Sequence, residues 1–113
     1  MVMSKNENYP VFKKWYEILN WIMDRAEKFP KSVRFSFTNR VLNTSLDVLE
    51  LVIEAIYTKE RSHILRTINL YIEKLRVFFR LSFQRKYLNL RQYEYISKEI
   101  NEFGRMIGGW AKQ

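Results

Sequence analysis

Residues 58–86, TKERSHILRTINLYIEKLRVFFRLSFQRK, contain neither glycine nor proline. Their apolar residues recur at helical spacing. Leu65, Ile68, Tyr71 or Ile72, Leu75, Phe78, Phe79, Ser82 and Phe83 stay on one helix face. A strand needs alternation at every second residue, which this stretch does not sustain. The pattern predicts a helix over about 59–86, entered through Thr58. A polar stripe runs beside the apolar one: Ser62, Arg66, Asn69, Glu73, Arg76, Arg80 and Gln84. Within it, Arg76, Arg80 and Gln84 form a ladder along one edge.

The same residues hold eight Lys or Arg against two Glu, so six of the chain's +8 net charges lie on one rod. A rigid basic rod suits a polyanion, and nucleic acid is the commonest one. Arg66, Arg76, Arg80, Arg85 and Lys86 are the residues expected to meet phosphate, a task that suits the planar, multi-donor head of arginine. The competing expectation is a solvated face paired with Asp47, Glu50 or Glu54. Arg85 and Lys86 also complement the dipole at the helix end.

The remaining sequence reads as three more helices. Over about 10–28, Phe12, Trp15, Tyr16, Leu19, Ile22, Met23 and Ala26 share a face, with Pro10 in the first turn and Pro30 as the stop. Over about 31–57 there are two stripes, one through Leu42, Ser45, Leu46, Leu49, Val52, Ile53 and Ile56 and one through Val41, Val48, Leu51 and Ala55. Lys31, Arg34 and Arg40 begin that segment and Asp47, Glu50 and Glu54 end it, an order that opposes the helix dipole. Helix 3 lying beside the acidic half would compensate. Over about 90–111, Tyr93, Ile96, Ile100, Phe103, Ile107 and Trp110 form the core face. Asn89 with Gln92 is a capping-box pattern. Gly104 and Gly108 sit in a stripe of short residues. An interior glycine costs about 1 kcal/mol against alanine, so the pair implies close approach of another helix.

Short connections between long helices predict an all-α, up-down-up-down four-helix bundle, one domain over 1–113. Ile18 and Trp21 lie off the main stripe of helix 1, and helices 2 and 4 have more than one apolar edge. That surplus predicts self-association, with Trp21, Gly104, Gly108 and Trp110 as helix-packing or subunit-contact residues.

Other functions find little support. With no cysteine, a disulfide framework, thiolate metal site or thiol nucleophile is excluded, and a reducing compartment is expected. The N-terminal MVMSKNENYP lacks the apolar core of a signal peptide, and no run longer than six residues is free of charge, so a cytoplasmic, non-membrane protein is expected. Glu60 and His63 make one Glu-x-x-His, where a di-iron bundle needs two plus further glutamates. RNA-cleaving bundles place an arginine more than a turn before the histidine, whereas Arg61 stands two residues before His63. There is no glycine-rich phosphate loop and no nucleophile elbow. No cofactor and no catalytic residue are expected.

Two blocks carry a resemblance: Leu75-Arg76-Val77-Phe78-Phe79-Arg80-Leu81, and Phe103-Gly104-Arg105-Met106-Ile107-Gly108-Gly109-Trp110. With four helices in a chain this long, the sequence resembles the accessory variability determinant (Avd) proteins of diversity-generating retroelements. These lie within the wider family of four-helix-bundle proteins encoded by intervening sequences in 23S ribosomal RNA genes. The resemblance implies a homopentameric ring with a basic surface, binding template RNA or cDNA and the reverse transcriptase in support of mutagenic retrohoming, without catalysis. It places the family's basic residues on Arg76 and Arg80 and makes the glycines and Trp110 packing residues. The alternatives are a bundle of the ribosomal-intervening-sequence type and an oligomeric protein-interaction scaffold with no nucleic-acid role.

Overall fold

The computed structural model describes residues 8–113, and every element among them is helical. The first seven residues of the N-terminal stretch read above lie outside the described residues. Helix α1 spans Pro10–Ala26, α2 Asn39–Ile56, α3 Ser62–Gln84 and α4 Leu90–Ala111. Side-chain pairs fix their directions. Trp15 meets Ser45 while Met23 shares a groove with Leu42, so α2 runs against α1. Arg76 meets Asn101 while Phe83 stacks on Tyr93, so α4 runs against α3. Tyr9 with Trp110, Trp15 with Phe103 and Trp21 with Tyr95 close α4 antiparallel on α1. Each helix packs on its chain neighbours and α4 returns to α1. This cyclic order is compatible with a four-helix bundle.

The α4 boundaries agree with the sequence pattern, and the capping box is present. The Gln92 amide N–H donates to Asn89 Oδ1 at 2.8 Å, and the Asn89 N–H donates to Gln92 Oε1 at 2.9 Å. The other ends differ. Helix α1 stops at Ala26, two residues early, and α3 begins at Ser62 rather than at residue 59 or 60. Lys59, Glu60 and Arg61 supply no side-chain cap, so the three charged residues stay in the connection.

The expected single helix over 31–57 is broken. Lys31–Val33 is a 3₁₀ turn and Arg34–Thr38 a π turn before α2 proper starts. The wide turn lets Phe37 swing inward to Phe29, Phe78 and Tyr87, with ring centroids 6.4, 5.9 and 6.0 Å away. That aromatic cluster seals one end of the bundle. Phe35 on the same turn is left 87% exposed. The break also moves Lys31 and Arg34 out of α2, which removes part of the opposition to its dipole.

Trp15 is the hub of the core. It is fully buried, its indole Nε1–H donates to the Ser45 carbonyl at 2.9 Å, and its ring lies 4.7 Å from Phe103. One side chain thus joins α1 to both α2 and α4. Ser45 returns its own hydroxyl to the Val41 carbonyl at 2.7 Å, so this buried polar pair is satisfied. On α2 the buried line is Val41, Ser45, Val48, Val52 and Ala55. The stripe through Leu42, Leu46, Leu49 and Ile53 lies at its edge, half-buried or exposed. Ile18, expected off the stripe, is a core residue, whereas Tyr16 and Met23 are exposed. The buried face of α1, through Val11, Trp15, Ile18, Leu19, Ile22 and Ala26, is a three-four stripe rotated by about half a residue step from the predicted one.

Candidate nucleic-acid interface

The polar stripe of α3 lies on the flank that faces α4. Arg66 and Arg80 are exposed on that flank. Neither has a carboxylate partner among the described residues, and neither do Arg85 and Lys86 at the helix end. The expected pairing with Asp47, Glu50 and Glu54 does not form. The described ion pairs are Lys14 with Glu99, Arg76 with Glu73, and Arg105 with Glu102. The first joins α1 to α4 at 3.1 Å, and each of the other two stays within one helix.

Arg76 differs from its neighbours. Its Nη1 donates to Glu73 Oε2 at 3.0 Å, and its Nε donates to Asn101 Oδ1 at 3.2 Å across the α3–α4 seam. Its Nη2 lies 3.2 Å from where a Cβ on residue 104 would stand. Gly104 therefore makes room for a guanidinium. Within the subunit, the close approach expected at the glycine pair is to the Arg76 side chain, with Ile72 Cδ1 next at 3.5 Å, and not to a helix backbone. A Cβ at Gly108 would meet nothing within 4 Å, so the subunit itself makes no close approach there. The two sequence blocks singled out above thus touch each other through Arg76 and Gly104.

The end of α3 is built by its backbone. Lys86 has φ 67°, in the left-handed region. The Tyr87 N–H donates to the Ser82 carbonyl at 2.8 Å and the Lys86 N–H to the Phe83 carbonyl at 3.0 Å, the Schellman pattern. Glycine is the usual occupant of this position, and lysine holds it here at a conformational cost. Arg85 is the C-cap, and beside it Phe37, Leu81 and Tyr87 line a small apolar pocket. The dipole at this end has both cations near it.

Other cations are engaged by rings. The Arg61 guanidinium carbon lies 4.7 Å from the centre of the Trp110 ring, and Lys74 Nζ lies 4.7 Å from the centre of Tyr71. Trp110 is only 8% exposed, covered by Tyr9 as well, so it is a packing residue of its own subunit. Trp21 is half-buried against Tyr95, with ring centroids 5.3 Å apart. Burial, and then the Glu99 carboxylate beside it, push the Tyr95 hydroxyl above its ordinary range. The Arg105 guanidinium, hydrogen-bonded to Glu102, holds that carboxyl below the usual carboxylate range. His63 is exposed in the first turn of α3. No group of three metal-ligating side chains occurs among the described residues.

Sequence reasoning missed two parts of this surface. Asn101 and Arg105 of α4 line the seam beside Arg76, together with Asn69, which the sequence placed in the polar stripe without a role. The apolar outer face of α3, with Leu70 55% exposed and Val77 and Leu81 beside it, also went unread. The i, i+7, i+11 spacing of those three residues held that signal.

No helix among the described residues is long and apolar enough to cross a membrane. No curated protein matches the chain. A family model described as bAvd-like matches residues 11–113, nearly the whole sequence, and the chain belongs to that family.

Proposed function

We propose that this protein is a non-catalytic accessory subunit of a diversity-generating retroelement, and that it binds nucleic acid through α3. Membership of the bAvd-like family supports the accessory role. The observation that carries the nucleic-acid reading is the state of the cations. Arg66, Arg80, Arg85 and Lys86 stand in solvent with no carboxylate partner among the described residues. Exposed cations left unneutralised along one rod attract phosphate and release its counterions. Arg76, tied to Glu73 and Asn101, serves mainly to stitch α3 to α4 and only secondarily as a phosphate ligand. The proposed assembly is a ring, a pentamer by family resemblance. The reverse transcriptase is the proposed protein partner.

Fluorescence anisotropy with labelled single-stranded and duplex oligonucleotides tests the reading. If all four free cations meet phosphates, log affinity against log salt should fall with a slope of about −3 on single strands and about −4 on duplex for each subunit engaged. The double variant Arg66→Ala/Arg80→Ala should reduce that slope and weaken binding to every sequence, with the helical circular dichroism unchanged. Binding insensitive to salt, or a double variant that binds as the parent does, overturns it.

A scaffold role has one observation in its favour. The α1–α2 side exposes Tyr16, Met23, Leu46 and Phe35, apolar surface suited to a protein partner. A protein that binds the polymerase but no oligonucleotide at low salt would fit this second reading.

A further inference from the structure

We propose that the cleft between α3 and α4 is a subsite for one nucleobase of a single strand, read by the side-chain amide of Asn69. The inference rests on the nucleic-acid reading above and adds base recognition to it. The cleft has a volume of about 530 Å³ and is lined by Asn69, Glu73, Arg76, Asn101, Gly104 and Arg105, with Ile72 at its floor.

Three features of its lining suit a base. The Asn69 amide is exposed and has no hydrogen-bond partner among the described residues, so a donor and an acceptor are available side by side. Adenine presents the complementary donor–acceptor edge, and asparagine pairs with it in a bidentate manner. Second, Arg76 is fixed in place. Asn101 and Glu73 hold Nε and Nη1, and Nη2 rests over Gly104. A guanidinium held by its edges can serve a base as a stacking plane, a use that needs no free fork. Third, Gly104 admits that guanidinium against α4, since a Cβ at residue 104 would stand only 3.2 Å from Nη2. Asn101, whose Oδ1 is taken by Arg76, keeps its NH₂ as a second donor.

The position of the cleft matches the path of a strand. Arg66 lies one turn before Asn69 on the same stripe, and Arg80 lies one turn after Arg76. A backbone tracking from Arg66 to Arg80 passes the cleft, and a base turned inward enters it. Phosphate contacts fix the register and the amide supplies the preference.

The test uses the full chain and three sets of fluorescein-labelled single strands with the same number of phosphates: homopolymers of DNA, their RNA counterparts, and abasic DNA. The parent protein should bind the adenine strand at least about fivefold more tightly than the abasic strand, the lower end of what one bidentate base contact supplies. Asn69→Ala, at an exposed site, should reduce the adenine strand to the affinity of the thymine and cytosine strands, which keep only stacking on Arg76, and leave abasic affinity unchanged. Comparison of the DNA and RNA sets shows whether the subsite accepts both sugars. Equal binding of adenine and abasic strands by the parent overturns the subsite while leaving the phosphate reading intact. An Asn69→Ala loss shared equally by abasic DNA also overturns it. Failure of the phosphate reading is separate: no strand, abasic included, would then bind with a salt dependence.

Discussion

Gly108→Ala is the sharpest test of how the α4 glycines are used. Gly104 and Gly108 stand one turn apart on the same stripe and look equivalent in sequence. In the structure they are not. A methyl at residue 108 meets nothing within 4 Å, whereas one at residue 104 meets Arg76 Nη2 at 3.2 Å and Ile72 at 3.5 Å. Alanine in a helix interior is favoured over glycine by about 0.5–1 kcal/mol because it restricts the unfolded chain. With no steric debit, Gly108→Ala should stabilise the subunit by about that amount. For a domain of this size that is a rise in Tm of about 2–4 °C. Gly104→Ala gains the same propensity but must displace a guanidinium. If Arg76 gives up Asn101 or Glu73, about 0.5–1.5 kcal/mol per hydrogen bond is lost, and the net change falls near zero. Thermal unfolding followed by circular dichroism, together with light scattering on a sizing column, separates the cases. A Gly108→Ala protein with a lowered Tm refutes the open-space reading. A lowered Tm with a smaller assembly places Gly108 against a second chain.

Two further outcomes are expected. Lys86→Gly should raise stability by about 0.5–1 kcal/mol, because the left-handed conformation costs a residue with a side chain about 1–2 kcal/mol and glycine gives part of this back in unfolded-state entropy. The same variant should bind nucleic acid less tightly, with a salt slope shallower by about 0.7–0.9, and a drop in Tm would contradict the assignment of Lys86 as the helix stop. Tyr95 should form its phenolate later than a free tyrosine in an alkaline ultraviolet titration, since burial and Glu99 both favour the neutral hydroxyl. Because its pKa is raised in the folded state, the contribution to stability is present below pH ~10 and lost as pH climbs through the folded value. Glu99→Gln should bring that phenolate forward, and no movement would show that Glu99 does not face the hydroxyl.

Helix α4 was legible end to end because its signals are local: a capping box at its start and a core face that keeps the helical period through to Trp110. The start of α2 was not. A π turn differs from an α turn by one residue of backbone width, and nothing in Arg34-Phe35-Ser36-Phe37-Thr38 marks that difference. What forces it is tertiary: Phe37 must reach Phe29, Phe78 and Tyr87, which come from three other parts of the chain. The candidate site divided in the same way. Charge placement on α3 could be read from composition and period. The partition of those charges into free and tied could not, because Asn101 and Gly104 are distant in sequence from Arg76. Glycine spacing alone pointed to a helix backbone, where the space is filled by an arginine. Trp110 was placed among packing or subunit-contact residues, and its intrasubunit partners Tyr9 and Arg61 lie outside the stripe that marked it.

The placement of surfaces constrains how copies of this bundle can meet. In the cyclic order α1-α2-α3-α4, the α1–α2 seam and the α3–α4 seam lie on opposite sides. The first carries Tyr16, Met23 and Leu46 on facing registers. It ends in an apolar groove of about 420 Å³ beside Phe35, where the buried Thr38 hydroxyl has no partner among the described residues. The second carries Arg66, Arg76, Arg80 and Arg105. Arg66 and Arg80 have no carboxylate partner within the subunit among the described residues, so burying the second seam against a face that supplies none would cost several kcal/mol per ion. Burying the first removes apolar area from water at about 25 cal/mol per Å², with Glu27 and Arg34 at its groove as the charges to be accommodated. The outer face of α3 is intermediate, since Leu70, Val77 and Leu81 come with Lys74 between them. Electrostatics therefore favours assembly through the α1–α2 side, which leaves the cations of every subunit outward. In the proposed assembly, a strand bound by one subunit would find the next patch already in place, and affinity would grow by effective concentration without any new contact.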